Sequence, residues 1–446
     1  MNLNSFESKK ILILGLGKEG ISTLKFLRRN FPNKVLSVAD KKELNEIDQK
    51  ELISKDKNLN LHFGNKYLEQ LDEFDLVFKS PGIKIATSEN ITSQTEFFLE
   101  NFRDKVIGIT GTKGKSTTSS LLYKIIKDAG FKTALVGNIG NPPFDIMSKN
   151  SMYDFFVFEL SSFQLENLKL SPHIAVILNL YQEHLDVHKS FEQYKKAKSN
   201  IAKFQTKKDF LIFNAENENV KKMVQASDAI KIPYSNIKKL DVGMYIDNDW
   251  LFYENEKVVN VKQTNLRGEF NLNNILPAVV AAKILKISNN SIASSLKSFN
   301  PLPHRLEYIG KVRGVDYFND SIATIPKATI AALETLGSKV QTLILGGFDR
   351  GLDYSNLAKV IVDKKIENLI LFPETGKQVG DEIDKINIYI PNEINLENMP
   401  EAVKKAAEIT ESGRICLLSP AASSFNLFRD YQDRGNQFKE EVLKLK

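Results

Sequence analysis

A lysine and a hydroxyl-bearing residue stand inside a glycine-rich segment, and this combination can bind the phosphates of a nucleotide. The segment reads Gly-Ile-Thr-Gly-Thr-Lys-Gly-Lys-Ser-Thr at residues 108–117, and a strand-like apolar run leads into it. Glycines leave backbone N–H groups open to phosphate oxygens, Lys115 can reach the β- and γ-phosphates, and the Ser116 hydroxyl can ligate Mg²⁺. Ile109 stands where the general pattern has its first glycine. The segment still predicts a phosphate-binding loop, with these candidate contacts: Gly111, Thr112, Lys113, Gly114, Lys115, Ser116 and Thr117.

A second glycine turn lies near the start of the chain, as Gly-Leu-Gly-Lys-Glu-Gly at residues 15–20. It follows a strand-like run and precedes a helical pattern, and Asp40 closes the next predicted strand. Such a turn can bring the backbone close to a pyrophosphate at a helix N-terminus, while the acid binds a ribose. The motif alone leaves three interpretations open: another nucleotide diphosphate, NAD, or a tight turn without a ligand.

Candidate metal ligands follow two further predicted strands. Glu159 ends a strand beside the phosphate loop, where it could hold a nucleotide-bound Mg²⁺ or, alternatively, cap the next helix at the surface. His184 and His188 have the i,i+4 spacing of some zinc sites, but no further Cys or His lies nearby. The pair is therefore more typical of a surface feature at a helix start. Lys198, in Tyr-Lys-Lys-Ala-Lys at 194–198, indicates by its spacing a solvated basic helix face.

Strand-like and helical segments alternate along the chain, which predicts an α/β fold with parallel sheets. A new strand at Lys105 marks one boundary, and the Asn-Pro-Leu-Pro segment at 300–303 marks another. We predict a Rossmann-like N-terminal domain at 1–103, a central P-loop ATPase-like domain at 104–299 and a third α/β domain at 300–446. The predicted strands are 10–14, 34–39, 75–78, 105–109, 133–136, 155–158, 174–180, 210–213, 315–318, 341–345, 368–372 and 415–418, with a β-rich patch at 242–261.

Composition restricts the class of protein. The 446 residues are 42% hydrophobic and 26% charged, the balance of a globular protein. The apolar runs are too short for a bilayer span or a signal peptide, so we expect no membrane insertion. The single cysteine, Cys416, excludes an internal disulfide and favours a reducing cytoplasm. The net charge of +6 forms no dense basic stripe, which fits small anionic substrates better than nucleic acid.

Taken in order, these and later segments resemble the Mur ligase family. The similarity includes the family's ATP loop, its metal and lysine region and its C-terminal nucleotide motifs. Two segments, Glu-Leu-Ser-Ser-Phe-Gln-Leu-Glu at 159–166 and Leu-Ser-Pro-Ala-Ala-Ser-Ser-Phe at 418–425, most resemble the glutamate-adding branch. The other similar segments are residues 111–117, 183–186, 194–198, 304–307, 319–321 and 346–351.

The resemblance implies an activity. We expect a cytoplasmic, monomeric, ATP-dependent ligase that adds glutamate, with the D isomer favoured, to UDP-N-acetylmuramoyl-L-alanine through an acyl phosphate. Such an enzyme acts in peptidoglycan synthesis, and thus in cell-wall formation, cell shape and cell division. Its third domain would be Rossmann-like, would close on ATP and would bind the amino acid.

The resemblance also implies roles for individual residues. The catalytic set is Lys115, Asn138, His184 and Lys198, and two Mg²⁺ ions are implied at Ser116, Glu159, His184 and Lys198 as a carbamate. A carbamate replaces an ammonium group, which Mg²⁺ would repel, with an anionic oxygen ligand. UDP-substrate contacts are implied for Gly15, Leu16, Asp40, Ser80, Pro81 and Gly82. Further ATP contacts are implied for Asn271, Asn274, Arg305 and Asp320, and an amino-acid pocket for Thr324, Arg350, Ser424, Phe425 and Tyr431.

Three positions depart from the pattern of many glutamate-adding members. Ile322 and Arg350 stand where lysines are common near the amino-acid carboxylates, and Phe270 stands where a histidine is common. These departures keep the L-glutamate-adding branch open as an alternative. Folylpolyglutamate synthase and the diaminopimelate- or lysine-adding branches are rival interpretations, but the first glycine turn and residues 80–82 favour a UDP-sugar. A non-catalytic nucleotide sensor is the rival from another class, and it would not need Glu159, His184 or Lys198.

Overall fold

The computed structural model describes residues 3–86, 88–147, 152–182, 188–266 and 268–445. Within them the chain forms three α/β domains, each with its own sheet. The first sheet is parallel, with strand order β3-β2-β1-β4-β5. Its strands are β1 (Ile11–Leu14), β2 (Leu36–Asp40), β3 (Leu59–Phe63), β4 (Leu76–Lys79) and β5 (Ile91–Thr92). The helices around it are Lys18–Asn30, Lys50–Ser54 and Gln94–Phe102, with short 3-10 turns at Asn4–Phe6, Leu44–Glu46, Gly64–Lys66, Leu71–Glu73 and Arg103–Lys105.

The second sheet has the order β14-β13-β12-β11-β10-β9-β6-β8-β7 among the described residues. It is parallel from β7 to β12, and β13 and β14 extend it in antiparallel fashion. Its strands are β6 (Val106–Thr110), β7 (Thr133–Gly137), β8 (Phe155–Glu159), β9 (Ile174–Ile177), β10 (Phe210–Asn214), β11 (Ile230–Ser235), β12 (Met244–Asp247), β13 (Trp250–Tyr253) and β14 (Glu256–Asn260). The helices of this region are Lys115–Asp128, Pro143–Met147, Ser162–Leu165, Phe191–Lys203, Glu218–Val224, Glu269–Ile284 and Asn289–Ser298, with a 3-10 turn at Val261–Gln263.

The third sheet has the order β15-β16-β20-β17-β18-β19 and is parallel except for the β15–β16 hairpin. Its strands are β15 (Glu307–Val312), β16 (Val315–Asn319), β17 (Val340–Gly347), β18 (Asn368–Glu374), β19 (Asn392–Asn395) and β20 (Ile415–Leu418). The helices are Pro326–Leu336, Ser355–Asp363, Thr375–Ile386, Met399–Ile409 and Tyr431–Lys444, with a 3-10 turn at Gly337–Lys339.

The chain divides into two compact units. One comprises residues 1–264 and 272–299 and contains the first two sheets, and the other comprises 265–271 and 300–446 and contains the third. Within the first unit, Phe144 of the second domain packs against aromatic rings of the first, including a stacked contact with Phe26 at 4.4 Å between ring centroids. Hydrogen bonds from Ser22 Oγ to Asp145 (2.7 Å) and from Lys18 Nζ to the Gly140 carbonyl (3.0 Å) join the same two domains.

Most buried strands are where the sequence predicts them, because they are apolar runs covered on both faces. The predicted strand at 174–180 is too long, since β9 ends at Ile177 and the next residues turn toward the phosphate loop. The edge strands β3 and β19 are missed because their exposed, polar side chains give no apolar signal. No helix in the described ranges is long and apolar enough to span a bilayer.

Candidate active site

The phosphate loop connects the C-terminal end of β6 to the helix at 115–128. Gly114 adopts φ +89° directly before this helix, and a β-carbon there would lie 2.2 Å from Asn274 Oδ1. Glycine is therefore required twice, by its backbone conformation and by the approach of this asparagine. Lys115 Nζ donates to the carbonyl oxygens of Gly111 and Thr112, both at 3.0 Å, so the lysine amine lies over the loop. Ser116 and Thr117 follow it in the first turn of the helix.

A segment after the neighbouring strand β9 holds the phosphate loop in shape. The Asn179 side chain accepts from Lys113 N at 2.8 Å and donates to the Lys113 carbonyl at 3.0 Å. Thr112 Oγ1 accepts from Tyr181 N at 3.0 Å and contacts the Tyr194 hydroxyl at 3.1 Å. Of these supporting residues, Asn179 and Tyr181 are not predicted from the sequence, whereas Tyr194 lies in the segment 194–198 that resembles the family's lysine region. The position of Asn179 and Tyr181 shortly after β9, the parallel neighbour of β6, is the signal that could have identified them.

Lys198 lies beneath the same loop. Its side chain is 1% exposed, and Nζ donates to the Gly111 carbonyl at 2.9 Å and to Thr110 Oγ1 at 3.0 Å. The ammonium also lies 5.0 Å from the centre of the Tyr194 ring. The expectation of a solvated basic face is therefore wrong for Lys198, although Lys196 on the same helix is exposed.

Glu159 is buried at the C-terminal end of β8, where it pairs in register with Ile109 of β6 and Gly137 of β7. The alternative of a surface acid capping the next helix is wrong, because Ser161 caps that helix and its hydroxyl accepts from Gln164 N. Asn138 follows β7, is exposed and donates its backbone N–H to the Glu159 carbonyl at 3.3 Å. The structure thus brings Asn138, Glu159 and the phosphate loop to one sheet edge.

Of the two candidate histidines, the structure describes His188. His184 lies outside the described residues. His188 is buried, with Nε2 2.9 Å from Ser162 Oγ and its ring stacked on Phe163 at 5.2 Å. The surface interpretation is therefore wrong for His188, which packs against the segment that follows Glu159.

Most candidate residues of the first glycine turn lie close to one another in the structure. Gly15 adopts φ +89° after β1, and a β-carbon there would lie 2.9 Å from Ser80 Cβ. Ser80 Oγ donates to the Gly15 carbonyl at 2.8 Å, and the Asp40 carboxylate accepts from Leu16 N at 2.6 Å. Pro81 and Gly82 continue the loop after Ser80, with Gly82 at φ +88°. The arrangement is a glycine turn held between the ends of β2 and β4.

A half-buried acid, Glu19, joins this turn to the segment after Glu159. Glu19 accepts a hydrogen bond from Gln164 Nε2 at 2.8 Å, and Gln164 Oε1 in turn accepts from Ser161 N at 2.9 Å. Burial raises the pKa of Glu19 to about 7, against the opposing effects of the Gln164 hydrogen bond and of Lys79. Burial likewise lowers the pKa of Lys79, whose Nζ donates to the Ile83 carbonyl at 3.0 Å.

In the second unit, candidate residues meet where β16, β20 and β17 end. Asp320 follows β16 and accepts from Ser419 Oγ at 3.0 Å and Leu306 N at 3.1 Å. Burial raises the pKa of Asp320 to about 7, while these hydrogen bonds and the Arg305 charge oppose the rise. Asn271 also belongs to this unit and donates its N–H to the Gly268 carbonyl, whereas Asn274 belongs to the first unit.

The candidate amino-acid residues surround the same edge of the third sheet. Phe348, which follows β17, donates its N–H to the Ser423 carbonyl at 2.9 Å, which joins the loop carrying Arg350 to the loop carrying Ser424. Ser424 is buried, Phe425 and Arg350 are exposed, and Thr324 and Tyr431 are half-buried. The loops also meet at Glu374, which has φ +67° and accepts from Asp349 N at 2.7 Å.

The donor set near the phosphate loop suits a hard cation. Glu159 offers a carboxylate and Ser116 a hydroxyl, and Mg²⁺ prefers oxygen ligands. In the part of the chain that the structure describes, no group of three or more His, Cys, Asp or Glu side chains is arranged to hold a metal ion. The nearby Lys198 ammonium would repel Mg²⁺, so the residues fit the ion only if this lysine loses its positive charge.

Family models match all three domains. They are the Mur ligase MurD-like N-terminal domain at residues 9–96, the Mur ligase middle domain at 109–282 and the Mur ligase glutamate ligase domain at 304–422. A protein of Clostridium tetani named UDP-N-acetylmuramoylalanine–D-glutamate ligase is 36% identical to the chain, and the alignment covers 98% of this chain and 97% of that protein. A Clostridium kluyveri protein of the same name is 35% identical, with 97% and 96% covered.

Solved structures show the same fold. UDP-N-acetylmuramate-alanine ligase MurC from Thermotoga maritima superposes with a TM-score of 0.61 at 16% identity, covering 98% of this chain and 100% of that one. MurF ligase from Thermotoga maritima in complex with ADP gives a TM-score of 0.58 at 16% identity, covering 83% and 89%.

Proposed function

The chain belongs to the Mur ligase family, and we propose that it is an ATP-dependent ligase that joins D-glutamate to UDP-N-acetylmuramoyl-L-alanine. It would act in the cytoplasm, in the synthesis of peptidoglycan precursors. The observation that carries the proposal is the burial of Lys198 against the carbonyl of Gly111, together with the burial of Glu159 at the end of β8, the strand that pairs with β6. A loop that only senses a nucleotide has no need of a buried lysine and a buried acid at its base. The names of the full-length relatives support the choice of substrates.

ATP binds at the phosphate loop in this proposal. The backbone N–H groups of 114–116 face the phosphates, since those of Thr112 and Lys113 donate to Asn179, and Lys115 leaves its carbonyl partners to contact the β- and γ-phosphates. The ADP complex of the Thermotoga maritima MurF ligase supports a nucleotide in this fold.

Magnesium would be held by Ser116, Glu159 and a carbamate on Lys198, and His184 is the fourth residue that the resemblance implies. When bound, the ions neutralise charge on the transferring phosphoryl group. Carbamylation joins CO₂ to the neutral amine of Lys198 with loss of one proton, and the product offers oxygen ligands. The position of this lysine beneath the loop supports that assignment.

The reaction has two steps. The γ-phosphoryl group of ATP moves to the carboxylate oxygen of the alanyl substrate, which gives an acyl phosphate and ADP. The amine of glutamate, after losing a proton, attacks the acyl carbon, and phosphate leaves from the tetrahedral intermediate. Lys115 stabilises negative charge in the first step, which is the main protein contribution to phosphoryl transfer.

Two substrate regions complete the proposal. The UDP portion binds at the glycine turn, through Gly15, Leu16, Asp40 and residues 80–82. Asn138 positions the sugar-linked alanine near the phosphate loop. In the third domain, Ser424, Phe425 and Tyr431, with Thr324 and Arg350, form the amino-acid pocket. The guanidinium of Arg350 retains a cation at this position and can bind a carboxylate through two hydrogen bonds.

A phosphate-release assay tests the proposed function. The purified protein is mixed with ATP, UDP-N-acetylmuramoyl-L-alanine, D-glutamate and Mg²⁺, and each component is omitted in turn. We expect steady phosphate release only in the complete mixture. Release that needs ATP alone, or nucleotide binding without release in the complete mixture, would refute the ligase and favour a sensor.

A further inference from the structure

An arginine in the third domain is wholly buried. Arg434 lies in the first turns of the helix at 431–444, and its side chain is 0% exposed. Its Nε donates to Ser321 Oγ at 3.0 Å, and its Nη2 donates to the carbonyls of Ser321 at 2.9 Å and Ala422 at 3.1 Å. Ser321 Oγ in turn donates to the Tyr431 carbonyl at 2.8 Å. One guanidinium therefore joins the loop after β16, the loop after β20 and the helix that starts at Tyr431.

The charge of this guanidinium has no carboxylate partner in the described part of the chain. Its hydrogen-bond acceptors are two carbonyls and a hydroxyl, and none of the ion pairs found there includes it. Its third nitrogen, Nη1, is buried and makes no hydrogen bond to any described residue. Burial lowers the pKa of Arg434 to about 9, although the group stays charged at neutral pH. A buried cation without a counter-ion is costly unless an anion approaches it.

The unpartnered nitrogen lies at the end of β17. A β-carbon on Gly347 would lie 3.3 Å from Nη1 and 2.3 Å from the Ser423 carbonyl, so the backbone of this glycine packs closely against the guanidinium and the loop after β20. Ser423 precedes Ser424 of the proposed amino-acid pocket, and Phe348 leads from Gly347 toward Arg350. The other arginine of the pocket, Arg350, is exposed, and water and salt weaken its attraction for anions. Ile322 contributes no charge.

We propose that Arg434 is the specificity-determining cation for the acidic amino acid. Its charge attracts the carboxylates of glutamate through the protein interior, where water screens it little, and its hydrogen bonds fix the two loops that carry the proposed pocket residues. Arg434 acts as a positioning residue rather than a catalytic one, because its contacts are to the pocket loops. The inference rests on the proposed function and names the group that selects its amino acid.

Kinetics on the full-length chain test this role. Arg434→Gln and Arg434→Met remove the charge, and Met also fits an apolar interior. We expect the KM for D-glutamate to rise at least tenfold in both variants, while the KM values for ATP and the UDP substrate stay within about twofold. Inhibition by glutarate, a dianion, should weaken by a similar factor, whereas inhibition by its neutral diamide should not change. Arg434→Lys keeps a charge and should recover part of the lost affinity for glutamate.

Arg414→Gln is the matched control. This arginine belongs to the same unit, precedes β20 at the opposite edge of the sheet and pairs with Glu367 at 2.9 Å. Its loss should leave all three KM values unchanged. Equal changes in all three KM values for the Arg434 variants, or an unchanged KM for glutamate in a folded variant, would overturn the inference while the proposed function stands. A wild-type chain that releases no phosphate in the complete mixture would overturn both.

Discussion

Lys198 Nζ lies 2.9 Å from the carbonyl oxygen of Gly111, so a buried lysine supports the phosphate loop from below. The same nitrogen contacts Thr110 Oγ1, and the Thr110 hydroxyl donates to the Leu160 carbonyl, one residue after Glu159. These hydrogen bonds connect the lysine to the phosphate loop and to the backbone that follows the buried Glu159. We therefore expect changes at Lys198 to affect the chemistry near the phosphates.

Lys198→Ala should lose nearly all ligase activity, by about 100-fold or more, because it removes the proposed anionic metal ligand. Added short-chain carboxylates such as acetate should restore part of it by entering the space left by the side chain. Phosphate release with and without the carboxylate measures both effects. Lys196→Ala is the control, since this lysine is exposed on the same helix and should retain full activity. Full activity of unsupplemented Lys198→Ala would refute the carbamate role.

Gly114→Ala should abolish tight ATP binding. The new methyl group would lie 2.2 Å from Asn274 Oδ1, and the residue would keep φ near +89°. Gly130→Ala separates these effects, because Gly130 has φ +94° but no atom within 4 Å of an added β-carbon. We expect backbone strain of about 1 kcal/mol in both variants, seen as a lower Tm, a further decrease of Tm in Gly114→Ala from the contact with Asn274, and loss of ATP affinity in Gly114→Ala alone. Equal ATP affinities in the two variants would contradict the role of the Asn274 approach.

Glu19 should make the stability of the first unit depend on pH. Burial raises the pKa of this carboxyl from 4.5 to about 7, so the folded state binds more protons than the unfolded state between these values. Stability from this group is therefore greatest at low pH and falls as the pH rises toward 7. The Glu19→Gln variant should lose this slope and be more stable than wild type at pH 8, as measured by urea unfolding from pH 4.5 to 8. Glu51→Gln is the control, because Glu51 is exposed and its loss should leave the wild-type dependence of stability on pH unchanged. If Glu19→Gln keeps the wild-type pH dependence, the raised pKa is not that of Glu19.

The sequence predicts elements well where burial is complete. The runs that become β1 and β6 are apolar and lead into glycine turns, so both the strands and the loops can be predicted from local pattern. Lys198 and Arg434 could not be placed in the same way, because charged residues normally lie at the surface. Each nevertheless shares a helix face with buried apolar residues, Lys198 with Tyr194 and Ile201, and Arg434 with Phe438 and Val442. A cation at helical spacing within an apolar face is the signal that would have indicated both.

The local sequence pattern discriminates poorly between D-glutamate and L-glutamate as the added amino acid. Ile322 and Arg350 depart from many glutamate-adding relatives, while the named relatives at 36% and 35% identity are D-glutamate ligases. The structure adds Arg434, whose charge suits either isomer. We expect the arrangement of groups around Ser424 and Tyr431 to separate the two.

The proposed ligase activity is tested most directly by the mass of the product. The purified chain is incubated with ATP, Mg²⁺ and UDP-N-acetylmuramoyl-L-alanine, with D-glutamate in one reaction and L-glutamate in another. We expect UDP-N-acetylmuramoyl-L-alanyl-glutamate in the D-glutamate reaction only, with one phosphate released for each product molecule. Product with L-glutamate alone would contradict the stereochemical assignment, and product with neither isomer would contradict the ligase.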